Sequence, residues 1–87
     1  MRTLSIGLAA LTLFISPATA YAASCADLWY QRNVIFADNG YCFKTSLGKR
    51  TFRNYSCWTS NPKLSRAEQR RVAAIKKQER RKGCKVN

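Results

Sequence analysis

The sequence predicts a small all-α domain of three helices, cross-linked by two disulfides and preceded by a cleaved signal peptide. Three observations lead to this fold class: an apolar N-terminal run with a small-residue tail, four cysteines in a chain of 87 residues, and apolar residues at helical spacing between capping signals. A domain this short buries too little surface to be stable on its core alone, so cross-links are expected. We expect residues 1–22 to be the signal peptide and residues 23–87 the mature domain.

The N-terminal segment has the order of regions that is typical of a secretory signal peptide. A positive start at residues 1–2 precedes an apolar stretch over 4–15, and Pro17 then leads into a tail of small residues. The apolar stretch is too short to anchor the chain across a bilayer. Cleavage after Ala20 or after Ala22 fits the small-x-small rule, and we favour Ala22. With no second apolar run, the mature chain is expected to lack a transmembrane segment and to be exported, to the periplasm or outside the cell.

A lipoprotein is the alternative interpretation of this region. The stretch 22–25 is similar to the tail of a bacterial lipobox, in which Cys25 would become a lipidated N-terminus. However, Ala22 stands where a large aliphatic residue would be expected. Lipidation would also leave an odd number of cysteines, which suits no set of internal bridges. We therefore interpret all four cysteines as bridged.

The first two predicted helices lie between the leader and the centre of the chain. One runs from Asp27 to about Asp38 and is stopped by Asn39-Gly40, which favours a left-handed conformation. A short helix over 46–52 follows, although Gly48, a poor helix former, lies inside it. The apolar arc of the first helix consists of Leu28, Trp29, Ile35 and Phe36.

The third predicted helix begins after a loop marked by Asn61-Pro62. Ser65 and Glu68 have the spacing of a capping box, in which each side chain accepts a hydrogen bond from the other residue's backbone N–H. We expect the helix to run to about Lys82, with Gly83 as its stop.

Helix geometry limits the pairing of the four cysteines. A helix between Cys25 and Cys42 would separate their backbones by roughly 18 Å, whereas a bridge needs about 4.4–6.8 Å. Of the two remaining pairings, Cys25–Cys84 with Cys42–Cys57 requires the first and last helices to be antiparallel. The other joins Cys42 to Cys84 and requires them to be parallel. We favour the antiparallel arrangement.

Three stretches of the mature chain follow a family pattern: LWYQRN at 28–33, FADNGYCF at 36–43 and LSRAE at 64–68. They resemble the YARHG domain, a small bacterial module regarded as extracellular, which reads roughly L-W-x-x-R-N, then Y-A-R-H-G-Y-x-F, and later L-S-x-x-E. The resemblance covers nearly all of the mature chain. The name-giving tract departs, with Phe36 for Tyr and Asp38-Asn39 for Arg-His, so a function tied to that pair would not carry over. The resemblance implies an exported, envelope-associated domain without established catalytic residues.

The composition argues against catalysis. The chain has no histidine, and a cysteine nucleophile would therefore lack its usual base. A glycosidase would need two convergent carboxylates in a cleft, yet Asp27 suits the first turn of a helix and Glu68 a capping box. No pair of cysteines has the spacing of zinc ligands. We expect a protein that is not an enzyme and that holds no cofactor and no metal.

The basic residues are the strongest functional feature. Lys and Arg number 16 against 4 Asp and Glu, which gives a net charge of +12. On the third helix, five of these cations share one broad arc, opposite the apolar residues. A field of this sign concentrates polyanions, and an exported protein meets anionic wall polymers, lipopolysaccharide and lipid headgroups. The predicted polyanion-binding residues are Arg66, Arg70, Lys77, Arg80 and Arg81.

Three other interpretations of the charge remain open. The face could be simply solvated, in a domain with a structural role only. A membrane-active cationic protein would need a broad apolar face, and the last helix has few large apolar residues. Nucleic acid is not the expected partner of an exported protein, and Tyr41, Tyr55 and Trp58, which could stack on bases, more often form core in so small a domain.

One buried ion pair is predicted between the first and last helices. Arg32 falls between Leu28 and Phe36 on the apolar arc, where a guanidinium must reach outward or meet an acid. Glu79 lies on the inward side of the last helix, at a matching height in the antiparallel arrangement. We therefore predict an Arg32–Glu79 pair that is at least partly buried, with Asn33 able to hydrogen-bond nearby.

Overall fold

The part of the chain that the structure describes contains three α-helices and the loops between them. A computed structural model describes residues 23–85, in which α1 spans Cys25–Asp38, α2 spans Ser46–Thr51 and α3 spans Arg66–Lys82. Within that range there is no strand beyond an isolated parallel bridge between Tyr41 and Thr59. This confirms the three-helix, all-α fold class. The predicted signal peptide, residues 1–22, lies outside the described residues.

Helix α1 begins two residues earlier than the sequence predicts. Ser24 is its N-cap: the Ser24 hydroxyl accepts from the Asp27 N–H, and the Asp27 carboxylate accepts from the Ser24 N–H, each at 3.1 Å. Asp27 is thus the third residue of a capping box, with the same spacing as the one predicted for the last helix. The helix ends as predicted, because Gly40 adopts a positive φ of 83° that other residues rarely tolerate.

Gly48 lies inside the short helix α2, at a position where Phe43 leaves no room for a side chain. Thr45 caps the helix by accepting the Gly48 N–H at 3.1 Å. A Cβ at position 48 would lie 2.8 Å from the Cβ of Phe43, closer than side chains approach one another. Gly48 therefore lets α2 pack against Phe43. Phe52 forms the C-cap, so the helix ends one residue before the predicted boundary.

Helix α3 has the predicted bounds. Ser65 and Glu68 form the predicted capping box. At the other end Gly83 has a φ of 79°, and the Cys84 N–H donates to the Glu79 carbonyl at 2.8 Å. This bond closes a Schellman motif, which satisfies carbonyl groups that the end of a helix leaves unpaired.

Helices α1 and α3 pack antiparallel, and two contacts at opposite ends establish their direction. Cys25, the first residue of α1, is bonded to Cys84, just after the end of α3, with their Cα atoms 5.6 Å apart. At the far end, the Asn39 amide donates to the Glu68 carboxylate at 3.1 Å. The aliphatic core between the helices consists of Leu28, Ile35, Val72 and Ile75.

The second disulfide joins Cys42 to Cys57, with their Cα atoms 5.0 Å apart. Both bridges therefore have the predicted pairing, and the parallel-helix alternative is wrong. Because Cys25 is bonded within the chain, the structure also disagrees with the lipoprotein interpretation.

A second cluster, made of aromatic rings, lies around Phe52, which is only 3% exposed. Four rings have their centroids between 4.7 and 5.9 Å from that of Phe52. Two of these rings come from α1, so α1 packs against two different neighbours. Trp29 thus faces the aromatic cluster, whereas the sequence places it on the arc shared with the aliphatic core. The four rings belong to Trp29, Tyr30, Phe43 and Tyr55.

Candidate functional site

The five predicted polyanion-binding residues all lie exposed on the outer side of α3. The opposite side of the helix carries Val72, Ile75 and Glu79, which are buried against α1. Since a helix turns by about 100° per residue, this burial directs the five cations outward together. We call this set the basic face: Arg66, Arg70, Lys77, Arg80 and Arg81.

Neither acid of α3 lies on the basic face. Glu79 is fully buried, and Glu68 is turned toward α1 through its bond to Asn39. The two carboxylates that could neutralise the cations within the helix are therefore both committed to the interior or to the cap. As a result, the positive charge of the basic face is not offset by an acidic residue of its own helix.

Arg32 and Glu79 form a buried, bidentate ion pair. Arg32 Nε donates to Glu79 Oε1 at 2.8 Å, and Arg32 Nη2 donates to Oε2 at 3.0 Å. Arg32 is 3% exposed and Glu79 is 0% exposed. The structure thus brings together the two residues that the sequence pairs. This geometry makes both side chains part of the helix interface rather than of a ligand site.

Asn33 does not join the ion pair. Its amide nitrogen donates to the Trp29 backbone carbonyl at 2.9 Å, one helical turn earlier. An Asn side chain can reach the carbonyl four residues earlier on its own helix, so Asn33 hydrogen-bonds within α1.

Glu68 has a pKa below its ordinary value. The principal cause is the bond from the Ser65 backbone N–H, at 2.8 Å from Glu68 Oε1, followed by the Asn39 amide. Both bonds favour the charged carboxylate, since a protonated oxygen accepts them less well. The charge of Glu68 therefore supports the start of α3 and its contact with α1 at the same time.

Three of the four carboxylates of the chain have structural partners. Asp27 and Glu68 form capping boxes, and Glu79 is paired with Arg32. The fourth, Asp38, is exposed at the last position of α1. Among residues 23–85 no cluster of three or more His, Cys, Asp or Glu side chains could hold a metal ion. In the same range no helix is both long and apolar enough to cross a bilayer.

Trp58 is the residue whose placement differs most from expectation. Its exposed fraction is 70%, whereas small-domain aromatics are expected to form core. The two other candidate stacking residues are less accessible: Tyr55 is 37% exposed, and Tyr41 is half-buried between Phe36 and Phe43.

Trp58 lies beside a polar groove of about 530 Å³. The ring rests against Gly40, so closely that a Cβ at that position would overlap three ring atoms. No sequence pattern predicts this groove, because its lining comes from the end of α1 and from the loop before α3. The groove is lined by Asp38, Asn39, Trp58, Thr59, Asn61 and Lys63.

Comparison with protein families identifies one matching model. The model of the YARHG domain matches residues 3–80 of this chain. The match includes the segment interpreted as a signal peptide, and the boundary after Ala22 stays a prediction. No match is found among curated proteins or among solved structures.

Proposed function

This chain belongs to the YARHG domain family, and from that premise we propose that it binds anionic polymers of the cell envelope through its basic face. The family and the two disulfides suggest a small extracellular or periplasmic module. The single observation that carries the proposal is that both α3 acids are engaged elsewhere, Glu79 in the interior and Glu68 in the cap, which leaves the cations of the basic face without an acidic partner on the helix. Phosphate and carboxylate groups repeated along a polymer would supply the missing countercharge.

The position of Arg66 supports a binding role. Arg66 is the first residue of α3, where the helix dipole is positive and a cation is electrostatically unfavourable. By contrast, Arg80 and Arg81 lie in the last turn, where they also complement the dipole. Helix stability can therefore explain the cations at one end of the basic face only, and a ligand explains both ends.

A membrane-active function has less support. The large apolar residues of α3, Val72 and Ile75, are buried against α1. Insertion into a bilayer needs an exposed apolar face, and α3 would have to separate from α1 and break the Arg32–Glu79 pair to offer one.

A charge-matched pair of variants tests the proposal. One variant changes Arg70, Lys77, Arg80 and Arg81 to Gln. The control changes four exposed cations around α2 to Gln, which removes the same charge elsewhere. Retention of each protein on purified cell-wall fractions is measured against increasing salt, with leakage of anionic lipid vesicles as a separate measurement. The control positions are Lys44, Lys49, Arg50 and Arg53.

We expect the basic-face variant to bind about tenfold more weakly at low salt, because it loses several exposed charge contacts that are each weak. The control should stay close to the parent, and all three proteins should show the same circular dichroism. Equal weakening of both variants would mean that net charge alone causes retention. Unchanged retention in both would favour a purely structural domain, and vesicle leakage at low concentration would favour the membrane-active alternative.

A further inference from the structure

The backbone at Trp58 is held on both sides, and its side chain is exposed. The backbone N–H of Trp58 donates to the Gly40 carbonyl at 2.8 Å. The carbonyl of the next residue, Thr59, accepts from the Cys42 N–H at 2.9 Å. The preceding residue, Cys57, is cross-linked to Cys42. The backbone on both sides of Trp58 is thus fixed to the segment that follows α1. A binding residue that is already ordered loses little conformational entropy when a ligand arrives.

One part of the Trp58 ring is covered by Gly40, and the rest is open to solvent. Gly40 brings its bare backbone against the ring, and a side chain at that position would overlap it. Trp58 is 70% exposed, and its ring therefore offers a flat apolar surface on the side away from Gly40. Isolated exposed apolar side chains are common on soluble domains, so the polar groups beside this ring, rather than its exposure, indicate a ligand.

Asp38 is the second observation that indicates a ligand at this groove. It is the last residue of α1, where the helix dipole makes a negative charge unfavourable. The other three acidic side chains take part in a capping box or in the buried ion pair, and Asp38 takes part in neither. A carboxylate in this position does nothing for the helix, but it can accept hydrogen bonds from a ligand that rests on Trp58.

We propose that the groove beside Trp58 binds a saccharide ring of an envelope glycan. A sugar ring has an apolar C–H face, which suits the flat surface of Trp58, and an edge of hydroxyl groups. Carboxylate, amide and hydroxyl side chains around the ring are the partners that such hydroxyls need. The lining of the groove supplies one of each: Asp38 from the end of α1, and Asn61 and Thr59 from the loop before α3.

The lining disfavours a lipid surface as the occupant of the groove. A lipid surface needs a broad apolar patch, and the residues around Trp58 are polar. Because Asp38 and Lys63 both line the groove, charge does not separate a glycan from a nucleic acid strand, which is therefore an outcome of the test below. The site shares no residue with the basic face, so this inference stands independently of the proposed function.

Intrinsic tryptophan fluorescence of the folded, oxidised protein tests the site. The probe is a preparation of cell-wall glycan strands from which the peptides have been removed. The titration is done at about 1 M salt, where charges are screened beyond about 3 Å and the basic face contributes little. We expect the emission to shift to shorter wavelength as Trp58 leaves water, while the half-buried Trp29 contributes a constant background.

Three variants sharpen this test. Trp58→Ala should abolish the shift and weaken glycan binding roughly tenfold, as expected for the loss of one stacking platform. Asp38→Asn should weaken glycan binding by several-fold, while the circular dichroism stays unchanged and the melting temperature does not fall, since the removed charge opposed the helix dipole. Leu47→Ala removes another exposed apolar side chain (50% exposed) and should bind like the parent.

Two results would overturn the inference. One is glycan binding that is equal in the parent, Trp58→Ala and Asp38→Asn. The other is a fluorescence shift with a single-stranded oligonucleotide or with phosphatidylcholine vesicles but none with glycan strands. Loss of salt-sensitive retention in the basic-face variant, with its fluorescence shift intact, would separate this site from the proposed polyanion contact.

Discussion

The two halves of this small domain are held together in different ways. The α1–α3 half has a thin aliphatic core, a buried ion pair and a disulfide that joins residues 59 positions apart. The half around α2 has stacked aromatic rings centred on Phe52 and a disulfide across 15 positions. The first half therefore depends on contacts between helices that are distant in sequence. The second organises a loop-rich segment with large rings that bury much surface per residue.

This difference also separates the two candidate ligand sites. The basic face lies on a regular helix, and its shape follows from helical periodicity and from the burial of Glu79. The groove beside Trp58 lies on irregular backbone that the short disulfide and a few hydrogen bonds hold in place. Loops that a rigid frame supports are common locations for ligand contacts.

Removal of a disulfide is expected to change the free energy of unfolding more than any other test of this comparison. Replacing Cys25 and Cys84 by Ala should lower the free energy of unfolding by about 4 kcal/mol, and replacing Cys42 and Cys57 by about 3 kcal/mol, because the longer loop loses more closure entropy. Urea denaturation followed by circular dichroism measures both values. The two pairs act as controls for each other.

The two disulfide variants should also differ in which half they loosen. The Cys42–Cys57 variant should keep the helical signal of α1 and α3 and should lose order around Trp58, seen as faster amide exchange at residues 57–59. If the Cys25–Cys84 variant is instead the more stable of the two, the α1–α3 half does not depend on its cross-link and the comparison is wrong.

Disruption of the buried ion pair should have the next largest effect. Glu79→Gln removes one charge and leaves the Arg32 guanidinium in a site where it is 3% exposed. We expect the free energy of unfolding to fall by about 3 kcal/mol, since an uncompensated buried charge is costly. Thermal and urea unfolding of the oxidised protein measure the change.

The matched control for Glu79→Gln replaces both partners with apolar residues, as Arg32→Met with Glu79→Leu. This double variant should recover most of the lost stability, because neither charge is then buried alone. A single variant as stable as the parent would show that the α1–α3 interface depends on its aliphatic contacts and not on the pair.

Protonation of Glu68 should have the smallest effect, at the junction of the two halves. Bonds from Ser65 and Asn39 lower the pKa of Glu68 in the folded state relative to the unfolded state. Its contribution to stability is therefore complete above the ordinary pKa range of Glu, and is lost as the pH falls through the lower folded value. The measurement is the difference in unfolding free energy between the parent and Glu68→Gln as a function of pH.

We expect this difference to be largest near neutral pH and to shrink in acid. A difference that stays constant down to strongly acidic pH would indicate that the cap and the Asn39 contact do not depend on the carboxylate charge.

Local signals and chain geometry were sufficient to predict the three helices, their antiparallel packing and the buried ion pair between α1 and α3, but not the Asn39–Glu68 contact. Ser65 with Glu68 marks the start of α3, and Gly40 and Gly83 mark helix ends, because capping is decided within a few residues. The buried ion pair was also predictable, since helical periodicity places both charges on inward faces and the disulfide aligns the helices. The capping box of α1, Ser24 with Asp27, has the same three-residue spacing as Ser65 with Glu68 and was therefore also predictable from the sequence.

The aromatic cluster and the Trp58 groove required the tertiary structure. Phe52 contacts rings from α1, from the segment before α2 and from the loop after it, and no periodicity in the sequence relates these positions. Whether an aromatic residue is buried depends on such distant neighbours, so similar rings have opposite outcomes: Phe52 is enclosed and Trp58 is open. By itself the sequence determined the three helices to within two residues at each end and excluded one of the three cysteine pairings, because these follow from local hydrogen bonding and chain geometry. Only the tertiary structure decided which rings form core and which one faces a ligand, because burial is a property of the whole packed chain.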